Sequence, residues 1–517
     1  MPLVWTLDAD VVRPRPGVVL FVCDGLGADL VEQGVSEGWL PNVQRRFVDG
    51  GVWVRPASTS IPAVTYSVMT TLLTGVGPGR HGIAGNRWFD PRHRLFRDYE
   101  VATHYADVNT DFDAPTIYER IAPATSVSIQ AAHARGVSYD VANWAMSGVM
   151  WLFRDYTAVD KLTAASITAV ADYANARRRW PTLLTCYFPG ADSVGHQEGA
   201  SSAQYRAAVE HLDYQIGRIC DGLEEQGLLE TTYLVLVADH GMVDVRDDGH
   251  LDLTGLVRDG WGRNATDVML QDAPECERRR FYDQFDTVAV YQNGRSAFLF
   301  FRGPSGWDER PAAQAVAEIL TAPPPELQLW SIPGIELVAY LAAEDVVVLR
   351  TSGGESRVRT RDDPRGPQYA YVPQPDDVLG YLADPDLAAF VAAGYYSPRE
   401  WLAATGAQTL PDVVPHLIPL LRAPHVGEVV AFAKPGYSFL LEKGGHGGLN
   451  RDEVLIPFLV AGPGLPAGTS VGPGRAVDLA PTLLTLLGLP LPEDGLLEGA
   501  PVVAVDAAVS SESFAEP

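Results

Sequence analysis

The stretch GVVLFVCDGLG, residues 17–27, decides the fold. Val18 to Cys23 is a continuous apolar run that stops at Asp24-Gly25. A short all-apolar run bounded by Gly and Asp is a strand buried on both faces, the kind found in parallel sheets. The same design recurs in TLLTCYFPGADS (182–193), in TYLVLVADHGM (232–242) and in EVLIPFLVAGPG (453–464). Between the second and third runs, Tyr205, Val209, Leu212, Ile216, Ile219 and Leu223 step by four and three, which is one helical face. Strand, helix and strand at this spacing form a βαβ unit, and ligands of such sheets bind at the carboxyl ends of the strands. Asp24, Asp192 and Asp239 stand at three such ends.

Beyond Gly249 the character changes. TVAVYQNGRSAFLFF (287–301) predicts a hairpin with Asn293-Gly294 as a two-residue turn, and DVVVLRTSGGESRVRTR (345–361) predicts a second. Prolines crowd DDPRGPQYAYVPQPDD (362–377), and the parallel pattern resumes near Tyr437. The expected organisation is a catalytic α/β core over 1–250, an inserted α+β cap over 251–430 and the rest of the core over 431–517. VDLAPTLLTLLGLPLP (477–492) predicts a closing helix.

Composition narrows the chemistry. The 517 residues are 46% hydrophobic and carry a formal net charge of −26. Such a surface repels nucleic-acid backbones and anionic membranes, so neither a nucleic-acid polymer nor a membrane is an expected partner. An anionic small substrate needs local cations to reverse the sign. The N-terminal stretch shows no basic and apolar leader pattern, and the four cysteines are far apart; the expectation is a reduced, cytoplasmic protein.

The candidate site collects seven residues. Asp24, Asp192 and Asp239 supply carboxylates; His196 in DSVGH, His240 in DHG and His446 in GGHGG supply imidazoles. Thr65 supplies a hydroxyl from PAVTYSVMTTLLTG (62–75), at an expected helix start where backbone N–H groups favour a phosphoryl group. A nitrogen and oxygen set without sulfur suits two divalent cations, Zn²⁺ first, with Mn²⁺ as the alternative. Two cations can clamp the attacking and leaving oxygens of an in-line displacement at phosphorus.

These segments, with VCDGLG, HGIAGN (81–86) and FDP (89–91) in the same order, resemble the alkaline phosphatase superfamily and, within it, the type I phosphodiesterase / nucleotide pyrophosphatase family. The resemblance implies a three-layer α/β core with a mostly parallel sheet and helices on both faces, plus a variable cap. It implies Thr65 as the nucleophile, holding one cation together with Asp24, Asp239 and His240. Asp192, His196 and His446 would hold the other. His81 would support the site without ligating, and Asn86 and Arg87 are the candidates for contacts to a substrate oxygen. The implied activity is hydrolysis of a phosphodiester or nucleotide pyrophosphate through a phospho-threonine; phosphonate or phosphomonoester cleavage, or a metal-binding relative without turnover, are the alternatives. The expected partner is a small phosphorylated or phosphonate substrate.

Overall fold

The computed structural model describes residues 5–12, 16–141, 156–493 and 495–505. The first apolar run forms β1 (Gly17–Cys23), followed by β2 (Gly51–Val54), helix α1 (Thr65–Thr74), β3 (Ser126–Ile129) and β4 (Tyr139–Val141). Then come β5 (Leu183–Phe188), α2 (Gly190–Glu198), α3 (Ala203–Glu225) and β6 (Thr232–Val237). A second group of strands follows: β7 (Ala265–Thr266), β8 (Thr287–Gln292), β9 (Ser296–Phe301), β10 (Ile335–Ala343), β11 (Val346–Thr351), β12 (Gly354–Arg361), β13 (Gln368–Val372) and β14 (Val429–Ala433). The chain closes with β15 (Phe458–Ala461), β16 (Thr469–Val471) and α4 (Leu479–Leu486).

The first sheet runs in the order β16-β2-β15-β6-β1-β5-β3-β4. β1 lies at its centre, parallel to β5 on one side and β6 on the other, with Val19 opposite Leu184 and Leu234. Every residue of β1 is buried, as an apolar run without alternation requires. The helix read from the 205–223 periodicity is α3; its six periodic residues are all buried, and Ser202 caps it by accepting from the Tyr205 N–H. The fourth run departs from expectation. β15 pairs antiparallel with both β6 and β2, so the sheet is mixed. An apolar run reports burial on both faces and carries no information about direction.

The second sheet runs β7-β8-β9-β14-β10-β11-β12-β13 and is antiparallel apart from the β7–β8 pair. Both of its faces are covered. Val288 and Val290 of β8 point into one apolar cluster with Phe298 and Trp401, and Ala289 points into another with Leu299 and Phe301. The first hairpin has a three-residue loop: Gln292 pairs with Ser296, while Asn293 and Gly294 both take positive φ, 41° and 79°. A fully buried ion pair joins the sheets, Arg295 in that loop with Glu453 just before β15, at 3.0 Å. Among the described residues no helix is long and apolar enough to cross a membrane.

Candidate active site

β1 is locked between two parallel neighbours, so its end is a rigid platform. Asp24 sits there with its N–H on the Phe188 carbonyl, 3.0 Å away, and its side chain is buried. One carboxylate oxygen, Oδ2, accepts from the Tyr187 hydroxyl; the other, Oδ1, is buried without a hydrogen-bond partner. Asp239 leaves β6 in the same manner. Its Oδ1 accepts from the N–H groups of Gly25 (3.3 Å) and His240 (2.9 Å), and its Oδ2 is buried without a partner. His240 Nδ1 contacts the Gly241 carbonyl at 3.0 Å, which makes it the N–H. Its Nε2 lone pair then lies 3.3 Å from Asp24 Oδ1 and 3.4 Å from Asp239 Oδ2.

A second cluster stands beside the first. Helix α2 places Asp192 in its first turn and His196 one turn later, with Nε2 3.4 Å from Asp192 Oδ1. His446, from the glycine loop, approaches the same oxygen at 3.4 Å. That oxygen is buried and makes no hydrogen bond. Gly25 allows the approach: at φ +71° it faces the Asp192 backbone so closely that any side chain would collide with it. The His240 and His446 rings stack with centroids 3.4 Å apart, so the clusters are contiguous. Within each trio the ligand-type atoms lie within 4.8 Å of one another.

Thr65 opens α1, and its Oγ1 lies 3.2 Å from His240 Nε2. Val64, at the N-cap, offers no side-chain cap, which leaves the helix start open to an anionic group. The hydroxyls around it are structural. Thr59 Oγ1 donates to the Asp239 carbonyl, and Ser60 bonds Thr71 at 2.9 Å. Thr71 and Thr70 meet the Nε2 atoms of His81 and His133, each at 3.0 Å. Burial pushes both imidazoles down to about 3, so they stay neutral beneath the helix.

The two sequence candidates for substrate contacts differ. Asn86 is buried beside the helix start: its Oδ1 accepts from the Tyr66 N–H (2.9 Å) and its Nδ2 donates to Asn293 Oδ1 (2.8 Å) and Glu100 (3.0 Å). The Arg87 guanidinium is matched by Asp98 at 3.0 Å and by Glu100. It lines a cavity of about 360 Å³ with Phe96, Tyr291 and Phe439.

The charges are held at a cost. Burial, then the Asp239 and Asp192 charges, push the Asp24 carboxyl well above the usual carboxylate range. Burial likewise raises Asp239. Burial also works against Asp192, but the adjacent His196 outweighs it and holds Asp192 low. His196 is raised well above its ordinary value: burial opposes this and Asp192 overcomes it. Three orphaned carboxylate oxygens facing imidazole lone pairs in a buried pocket are what a divalent-cation site presents. The residues therefore fit one cation at each trio.

A family model for type I phosphodiesterase / nucleotide pyrophosphatase matches residues 18–296, more than half of the 517. The chain belongs to this family, within the alkaline phosphatase superfamily. An uncharacterized pyrophosphatase/phosphodiesterase of Schizosaccharomyces pombe is 24% identical over 256 residues, 47% of this chain and 50% of that protein. Ectonucleotide pyrophosphatase/phosphodiesterase family member 3 of Bos taurus is 25% identical over 238 residues, 44% of this chain and 25% of its own. The chain thus covers half or less of these relatives' length. The solved murine ectonucleotide pyrophosphatase / phosphodiesterase 5 shares the fold, with TM-score 0.55 and 16% identity over 93% of this chain and 97% of its own. This is the alkaline-phosphatase-like α/β core carrying an extra domain.

Three neighbours of the site were not read from sequence: Tyr187 on Asp24, Asn293 with its Nδ2 3.0 Å from His446 Nε2, and Glu442 3.0 Å from His196 Nδ1. Tyr187 had a signal, as the one hydroxyl-bearing aromatic in β5. Asn293 was legible only as a turn residue, and Glu442 only as a charge beside a glycine loop.

Proposed function

We propose that this chain is a metal-dependent phosphoric ester hydrolase that cleaves phosphodiester or nucleotide pyrophosphate-type bonds with Thr65 as nucleophile. One observation carries the reading: Thr65 Oγ1 stands 3.2 Å from His240 Nε2 at an open helix start, beside two contiguous trios of carboxylates and imidazoles. In this reading Asp24, Asp239, His240 and Thr65 hold one divalent cation, and Asp192, His196 and His446 hold the other. Zn²⁺ is favoured by the donor set, with Mn²⁺ next. Such cations, when bound, favour the alkoxide form of a hydroxyl and offset charge on a leaving oxygen.

The chain's own residues define the rest. Thr65 Oγ attacks phosphorus and the bond from phosphorus to the departing alkoxide breaks, with the alcohol taking up a proton. Water then attacks phosphorus, the bond to Thr65 Oγ breaks, and the threonine regains its proton. The start of α1 faces the phosphoryl group with its dipole, and Asn86 fixes that turn through the Tyr66 N–H. Asn293 Nδ2 meets His446 Nε2, so its amide must turn away or lengthen that contact when His446 ligates. The substrate is a small phosphoryl ester. Cys23, Cys186, Cys220 and Cys276 are all free thiols, three of them buried, which supports a reducing, cytoplasmic setting.

The test is the turnover of bis-p-nitrophenyl phosphate against p-nitrophenyl phosphate with Zn²⁺ present. A ratio well above one is expected. A ratio well below one would overturn the diester reading in favour of a monoesterase.

A further inference from the structure

The two trios are unequal in charge. Asp24, Asp239 and His240 bring two carboxylates; Asp192, His196 and His446 bring one. Facing a divalent cation, the second trio is short by one negative charge. The second trio is also the one whose imidazole is backed by a carboxylate. His240 and His446 turn their Nδ1 atoms to the neutral carbonyls of Gly241 and Ala63. His196 turns its Nδ1 to Glu442 Oε2 at 3.0 Å, and also to the Gly444 carbonyl at 2.9 Å.

Glu442 is held for this contact. Its side chain is 9% exposed, and its other oxygen accepts from the Ser438 hydroxyl at 2.7 Å. A side chain at Gly294 or at Gly445 would collide with that oxygen, so glycines from two separate loops leave the space it fills. The Gly444 carbonyl alone is sufficient to fix the tautomer of His196. The carboxylate therefore adds charge to an imidazole already oriented, and makes its Nε2 a stronger donor.

We propose that Glu442 is a positioning residue that supplies the missing negative charge to the second cation site through His196. The proposal rests on the two-cation reading above. Removing the charge while keeping the shape should weaken one site and leave the other alone.

The experiment is a zinc titration against a competing chelator, on the wild type and on Glu442→Gln, with Co²⁺ substitution as the optical readout. The wild type should bind two ions. Glu442→Gln should bind one with unchanged affinity and the second ~10–100-fold more weakly, the range typical of lost partners behind a ligating histidine. Turnover of the variant should recover toward the wild-type value at saturating zinc, and the Co²⁺ spectrum of one site alone should shift. Ser438→Ala, which frees the outer oxygen of Glu442, should weaken the same site by ~2–5-fold, a smaller loss behind the same ligand. Two ions bound by Glu442→Gln with wild-type affinity would overturn the proposal, and so would equal weakening of both sites. A wild type that binds fewer than two ions would overturn the enclosing two-cation reading, and the proposal with it.

Discussion

The two trios contain the same number of groups, yet they balance charge differently: Asp24, Asp239 and His240 bring two carboxylates, Asp192, His196 and His446 bring one. Burial pushes the Asp24 and Asp239 carboxyls up, and for Asp24 the neighbouring Asp239 and Asp192 charges add to the rise. In the second trio the pair works against burial: the adjacent His196 holds Asp192 low, and Asp192 raises His196. The first trio grows from two rigid strand ends, β1 and β6. The second is assembled from a helix, α2, and a glycine loop. One gathers two carboxylates on strand ends, and the other sets a single carboxylate between two imidazoles. Thr65 leans on the first, through His240.

The largest effect expected is at Thr65. Thr65→Ala should lower turnover by ~10⁴-fold or more, as removal of a nucleophile does. Both trios should keep their cations, measured by metal analysis of the variant. Activity within a few fold of wild type would dissociate the hydroxyl from the first trio. Next, Asp239→Asn and Asp192→Asn should each lose one ion of two and ~10³-fold in turnover, the several kcal/mol that a bound cation contributes. Loss of both ions from either variant would show that the trios are one site.

Stability separates the trios further. Arg295 and Glu453 are buried to the same extent, and Glu453 Oε1 also takes the Gly448 N–H of the His446 loop at 2.8 Å. Arg295→Met leaves a buried carboxylate unpaired and should cost ~3–5 kcal/mol in denaturant unfolding. Its zinc affinity should fall at the second trio first, because that loop carries His446. Arg295→Met combined with Glu453→Met should be less destabilised than the single change, since no charge is stranded.

The smallest effect concerns the base of α2. Asp160 accepts from the N–H of Gly190 at 3.0 Å, and its second oxygen has no partner among the described residues. Burial pushes this carboxyl up to about 8. The folded chain therefore keeps a proton that the unfolded chain releases near pH ~4. This contribution is fully present below that value and is lost as pH rises toward 8. Asp160→Asn should flatten the fall in stability between pH 5 and 8 by ~3 kcal/mol, read from chemical denaturation at the two pH values. An unchanged slope would show that Asp160 is ionised in the folded protein.

The strand-end acids were legible because burial and charge conflict there. An apolar run that stops at Asp24 or Asp239 has no packing reason to do so, and the spacing of Asp192 and His196 puts both on one helical face. The hydroxyls of residues 58–75 were legible as a group, but their division was not. Thr59, Ser60, Thr70 and Thr71 bond to a carbonyl, to one another and to two buried histidines that sequence does not bring near. The direction of β15 was invisible, because hydrophobicity has no sense along the chain. Tyr187, Asn293 and Glu442 act across 163, 153 and 246 residues of separation, distances that no local pattern encodes. At Arg87 the charge was visible, and the two acids paired with it, Asp98 and Glu100, were not.

The central claim is that Thr65 becomes covalently bonded to phosphorus. It is tested most directly by rapid acid quench of the zinc-loaded protein during turnover of bis-p-nitrophenyl phosphate, followed by peptide mass analysis. An adduct of the retained p-nitrophenyl phosphoryl group is expected on the peptide containing Thr65, absent from Thr65→Ala. Steady turnover with no adduct at any quench time, and a Thr65→Ala variant that still turns over at the wild-type rate, would contradict it.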